Sequence, residues 1–183
     1  MTTHDSHIRV IFTAGTEFSS RLIEWFGGGN WSHMANVLPN GSVIDARSDI
    51  VKFQGLCFPT GVQHRPKGYL QAQSPRWAEI EIPCSALQAR AWEERLWSQV
   101  GKPYDTVGIV DFITGSLKDR NWRDESAWFC SEISVWAQEK AGICPPLAAP
   151  VFKIPPGEGL LIALALGGKV IASHGLSTRL AAA

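Results

Sequence analysis

Three side chains in this sequence have types and settings suited to nucleophilic chemistry: Cys130, His33 and Asp45. Cys130 lies in the segment WFCSEISVW, near the start of an expected helix. Unpaired backbone N–H groups and the positive end of a helix dipole favour a thiolate there. A thiolate attacks carbonyl carbon, and its thiol precursor needs a base, for which His33 is the candidate. His33 opens an expected strand after a glycine-rich turn, a rigid place to hold an imidazole. Such an imidazole also needs a group that fixes its tautomer and balances its positive charge. Asp45, on the return strand of the same hairpin, has the right chemistry.

The elements that must position these groups are readable in outline. Residues 7–14, HIRVIFTA, read as a strand. Residues 17–26 read as a short helix, with Phe18, Leu22 and Phe26 recurring every fourth position. HMANVL and SVIDA flank Pro39-Asn40-Gly41 and form a hairpin signal. Residues 77–83 read as another strand. Ser85 with Gln88 forms a capping box that opens a helix to about residue 99. Asp105 is a candidate cap for a helix to about 114. Ser126 or a neighbour opens a further helix to about 141, closed by Gly142. On it Cys130, Ile133, Ala137 and Ala141 form one stripe. The Pro- and Gly-rich stretches 55–68 and 145–159 read as long surface loops. The whole is α+β: a small antiparallel sheet packed against helices.

The hairpin loop decides whether Asp45 can serve His33. A two-residue Asn40-Gly41 loop pairs Asp45 with Asn36 and puts His33 on the opposite face. A three-residue loop over 39–41 pairs Asp45 with Ala35, on the face of His33. Trp31, in the turn beside His33, is a candidate lining residue for a substrate cleft. The remaining histidines, His4, His7, His64 and His174, lack ligand spacing and read as structural or exposed. Cys57, Cys84 and Cys144 read as small core residues. Trp25, Trp92, Trp97, Trp128 and Trp136 read as core residues on helices, and Glu132 as a solvated or capping charge.

Two blocks of the chain resemble the NlpC-type cysteine peptidases, a bacterial branch of the papain-like fold. Those enzymes carry a G-x-P-Y segment, then a cysteine at a helix start, and later a strand with H-V-G-I-Y-L-G-N-G followed by I-H-A. Here HMANVLPNG and VIDA come first, and GKPYD and FCSE second. That reversed order is similar to the circularly permuted branch, the YiiX/YaeF-like amidases, whose plan lecithin retinol acyltransferases share. The Gly61-Val62 step also looks like that branch. The resemblance covers roughly residues 8–145. It implies a permuted papain-like fold with Cys130 as nucleophile, His33 as general base and Asp45 as the third polar residue. It also implies that Tyr104, the tyrosine of the G-x-P-Y match, lies close to the nucleophile and contacts substrate. Three departures are visible. Met34-Ala35 replaces the usual Val-Gly after the histidine, Phe129 replaces the acid before the cysteine, and Glu132 replaces a small residue.

Composition narrows the alternatives. The 183 residues fit a single domain spanning 1–183 with a real core. At 45% hydrophobic and 19% charged, the chain reads as globular. Zero net charge argues against a nucleic-acid partner. Four scattered cysteines without a CxxC pair argue against a disulfide framework or a cysteine-rich zinc site, and no cofactor is implied. With no signal peptide and no apolar run long enough to span a bilayer, the expected location is cytoplasmic, or delivered if phage-borne. The expected function is a cysteine hydrolase, amidase or peptidase, that acts through a thioacyl enzyme. Its substrate is a cell-wall peptide or an N-acyl or lipid compound. The eight tryptophans and the stretch GLLIALALGG at 159–168 lean towards the latter. The rival readings are a lipid acyltransferase, a non-catalytic binding module of the same fold and a phage structural module.

Overall fold

The run HIRVIFTA alternates imperfectly because both faces of its strand are covered. In a computed structural model, which describes residues 6–15, 30–106, 126–147 and 154–176, it lies within β1 (Ser6–Ala14). β1 is central in a six-stranded antiparallel sheet with β2 (His33–Val37), β3 (Val43–Arg47), β6 (Gly61–Arg65), β7 (Arg76–Cys84) and β8 (Lys169–His174). The strand order is β6-β3-β2-β1-β7-β8. A separate two-stranded ribbon joins β4 (Val51–Phe53) to β5 (Leu56–Phe58).

One face of the sheet supplies Ile8, Val10, Phe12, Met34, Ile44, Ala46 and Ile80 to the main core. Helices α2 (Ala86–Trp97), α3 (Cys130–Lys140) and α4 (Pro156–Ala165) close it with Trp92, Leu96, Ile133, Trp136, Ala137 and Ala163. The opposite face carries Ile11, Ala35, Val37 and Val43, covered by Val51 and by Tyr69 and Leu70 of the short helix α1 (Tyr69–Gln73). The α+β expectation therefore holds, as do the first hairpin, the 77–83 strand and the Ser85–Gln88 capping box. Gly142, at φ 69°, follows the end of α3 as expected.

Other expectations change. The helix over 17–26 lies outside the described residues, and so does nearly all of the helix expected from Asp105 to 114. Residues 55–68 are not a long loop: β5 and β6 run through them. Their Gly and Pro residues punctuate short strands. The second expected loop gives way to α4 from Pro156, a proline in a first helical turn, where its missing N–H costs no hydrogen bond. Cys57 is exposed on β5 and Cys84 is half-buried, so only Cys144 of the three background cysteines is in the interior. Trp97 is 43% exposed, with its ring 4.8 Å from that of His64, in contrast to the buried Trp92, Trp128 and Trp136. Trp128 precedes α3, which starts at Cys130 with Phe129 as its N-cap. No described helix is long and apolar enough to cross a membrane.

Candidate active site

The β2–β3 loop settles the face of Asp45. Leu38 N–H donates to Ser42 C=O (2.8 Å), and Gly41 N–H donates to Leu38 C=O (2.8 Å), so the loop is the three residues 39–41. Gly41 adopts φ 83°, the left-handed conformation that closes such a loop. Asn36 then pairs with Ile44 and Val37 with Val43, the register that puts Asp45 on the face of His33. His33 Nε2 lies 2.8 Å from Asp45 Oδ2.

Asp45 is fully buried, and its carboxylate accepts from three side chains. Arg65 Nη1 donates to Oδ1, and the Tyr69 hydroxyl donates to Oδ2 beside His33. Strand register explains Arg65: Gln63 pairs with Asp45 and Arg65 with Val43, so Arg65 shares the Asp45 face one diagonal step away. Arg65 is also fully buried, and its guanidinium lies 5.7 Å from the centre of the Tyr69 ring. Tyr69 comes from α1, directly after the β6 turn. Burial lifts its phenol to about 12, against the pull of Arg65 and Arg47, so it stays a protonated donor. Arg47 grips Asp49 in a fork (2.7 and 2.9 Å) and also hydrogen-bonds Tyr69.

His33 is the first residue of β2, and its side chain keeps 12% of its surface open. There it meets the Cys130 side chain within hydrogen-bonding reach. Burial holds the imidazole below its ordinary value of 6.5. The Cys130 side chain pulls it up, and Arg47 and Arg65 push it further down. The ring is therefore neutral at neutral pH. With Asp45 as an acceptor at Nε2, the proton sits on Nε2 and the bare Nδ1 is free to accept from the thiol.

Cys130 is the first residue of α3, where helix geometry leaves backbone N–H groups without intrahelical partners. Glu132 does not face solvent: it is buried, and its Oε2 accepts the Phe129 N–H (3.1 Å), a cap on the turn that carries the cysteine. The GKPYD segment is tied in from two sides. Val62 N–H donates to Lys102 C=O (2.9 Å) and Gly101 N–H to Val62 C=O (2.8 Å). Tyr104 bridges to Trp128, with Asp105 N–H donating to Trp128 C=O (3.0 Å). Tyr104 consequently packs with Phe129 and Cys130. Its phenol is held well above its ordinary value, first by burial and then by Cys130 and Glu132. Gly61 is required where that segment docks: it has φ 93°, and a Cβ would collide with the Lys102 carbonyl oxygen.

The structure thus brings Cys130, His33, Asp45 and Tyr104 together. Trp31 is elsewhere in character: it is 5% exposed, packs 6.2 Å from Phe12, and has the Arg76 guanidinium over its ring. Its ring is in the core and offers almost no surface to a ligand. Arg65, Tyr69 and Arg47 were not anticipated. Alternation in GVQHR, paired against VIDAR, is the signal that marks Arg65.

No known protein family matches the sequence, and neither does any curated protein. Among solved structures, the chain is similar to the metalloprotein YiiX from Escherichia coli O157:H7, a DUF1105 protein. The TM-score is 0.52 at 17% identity, over 74% of this chain and 66% of that one. The likeness is one of fold, and this chain spans just under two thirds of that neighbour. YiiX is described as a metalloprotein. In this chain the described residues contain no group of three or more His, Cys, Asp or Glu side chains able to hold a metal ion. The Asp45 carboxylate is already engaged by Arg65, Tyr69 and His33. These residues do not fit a metal.

Proposed function

We propose that this protein is a cysteine hydrolase of the amidase or peptidase class, built on a circularly permuted papain-like fold. The observation that carries the reading is Cys130 at a helix start beside His33, whose far nitrogen is held by Asp45 at 2.8 Å. The α+β sheet and the YiiX-like fold are consistent with it.

In this reading Cys130 Sγ adds to an amide or ester carbonyl carbon while its proton passes to His33 Nδ1. The backbone N–H of Cys130 and the protonated Tyr104 hydroxyl are the donors available to the oxyanion. The C–N or C–O bond then breaks as Nδ1 returns the proton to the leaving group, leaving a thioester on Cys130. Water adds to that thioester and gives its proton to Nδ1. The C–S bond breaks, the acid leaves, and the thiol regains its proton. The acyl substrate is a cell-wall peptide or an N-acyl or lipid compound.

The test is a substrate panel of muropeptides, N-acyl amino acids and phospholipids, run with wild type, Cys130→Ala and His33→Ala. Wild type should turn over one class, and both variants should fold and fall to background. Turnover that survives Cys130→Ala would refute the reading. Stoichiometric binding without product would instead favour a binding module.

A further inference from the structure

We propose that Arg65 and Tyr69 are positioning residues that clamp the Asp45 carboxylate, so that His33 carries its proton on Nε2 and turns its bare Nδ1 to Cys130. The inference rests on the Cys–His reading above and deepens it.

The geometry carries the argument. An ionised carboxylate accepts only, and this one has three donors: Arg65 on Oδ1, with Tyr69 and His33 on Oδ2. Arg65 also donates to the Asp45 main-chain carbonyl (3.3 Å) and to Pro59 C=O (3.3 Å), so the guanidinium is fixed to both sides of its task. With Asp45 and Arg65 both fully buried, the carboxylate cannot swing out to water or exchange partners. Its remaining lone pair on Oδ2 faces one group, the imidazole.

The charge balance has a second consequence. An unpaired buried carboxylate beside His33 would draw a proton onto the imidazole and leave it unable to act as a base. Arg65 neutralises that carboxylate, so the triad Arg65–Asp45–His33 is electrically balanced with the ring neutral. The other charged and titratable groups around the ring are Arg47 and Asp49 at the end of β3, Cys130 and Glu132 on α3, and Tyr104. Arg47 and Asp49 already compensate each other through their fork. That leaves Arg65 as the fully buried cation that offsets Asp45.

The experiment follows the ring itself. Imidazole 15N NMR of the full chain reports which nitrogen of His33 carries the proton, and at what pH the ring titrates. Wild type, Tyr69→Phe and Arg65→Gln are compared. Tyr69→Phe keeps the aromatic volume and removes one hydroxyl, so it tests the clamp even if Arg65→Gln fails to fold. Wild type should show the Nε2–H form. The variants should show a mixture of tautomers and a His33 midpoint displaced to higher pH. On a turned-over substrate, the acid limb of kcat should move the same way, with KM little changed. A role in stability alone would lower Tm and leave tautomer and midpoint where they were, and that result in Tyr69→Phe would overturn the proposal. Altered tautomers together with no turnover of any panel substrate by wild type would sink the hydrolase reading and leave the clamp standing.

Discussion

Asp45 carries a full charge with no exposed surface, and its stability depends on partners that are themselves buried. Asp45→Asn removes the charge that balances Arg65 and strands a guanidinium in the interior. Breaking a buried pair from one side costs about 3–5 kcal/mol. Adding Arg65→Met removes the stranded charge, so the double variant should recover part of the loss. Chemical denaturation of the two singles and the double checks this. A double variant less stable than Asp45→Asn would show that the pair is not coupled in this way. His33 gives a second expectation at this scale. Its imidazole is held below 6.5 in the folded chain, so the unfolded chain binds the proton more readily as pH falls past that value. Stability should drop on the acid side, and should drop less in His33→Gln, measured as Tm across pH 7 to about 5.

At the scale of elements, two glycine-dependent joints set the site. Gly41 closes the three-residue loop that puts Asp45 and His33 on one face, and Gly61 lets the 101–105 segment dock on β6. Gly61→Ala meets both a disfavoured backbone conformation and a carbonyl oxygen, at a cost of roughly 1–3 kcal/mol. It should also move Tyr104 relative to Cys130 and lower turnover. Gly55→Ala is the control: φ is 78°, but nothing lies near the added methyl, so it should lose some stability and keep activity. Equal losses of activity in the two variants would contradict the docking role. The hairpin, the first strand and the capping box were legible in the sequence because their signals are local. The choice between two loop lengths was not, since Asn40-Gly41 suits a two-residue turn and only the cross-strand pairing, Asn36 with Ile44 and Leu38 with Ser42, excludes it. β6 was hidden by Pro59, Pro66 and Gly68, turn formers that bracket a five-residue strand, and by Gly61 at its first position. With β6 read as loop, Arg65 and Tyr69 had no visible relation to Asp45, because that relation exists only across strands. α4 was hidden in the same way by Pro155-Pro156-Gly157, which here open a helix.

At the scale of the whole molecule, the sheet acts as a divider between two apolar clusters. α3 packs its Ile133, Trp136 and Ala137 on one face, while Asp45, Arg65 and Tyr69 belong to the other. The first residue of β2 is where the two sides meet, which is why a histidine there reaches both Asp45 and Cys130. α4 packs against α3 and β2, with Gly159 beside Met34, while its Leu161 and Leu164, like Val170 and Ile171 of β8, are exposed. The stretch 159–168, the source of the lean towards a lipid substrate, thus borders the two elements that carry Cys130 and His33, and the substrate panel tests that lean. In the proposed reading Cys130 is the thiol that carries the acyl group, and acylation reads that directly. Wild type is incubated with p-nitrophenyl esters of short and medium acyl chains, quenched in acid and mapped by peptide mass spectrometry. Release of p-nitrophenolate should coincide with the mass of one acyl group on Cys130. His33→Ala should slow that step by about 10²–10⁴-fold. Acylation spread over Cys57, Cys84 and Cys144, or a Cys130 adduct formed equally fast without His33, would contradict the account.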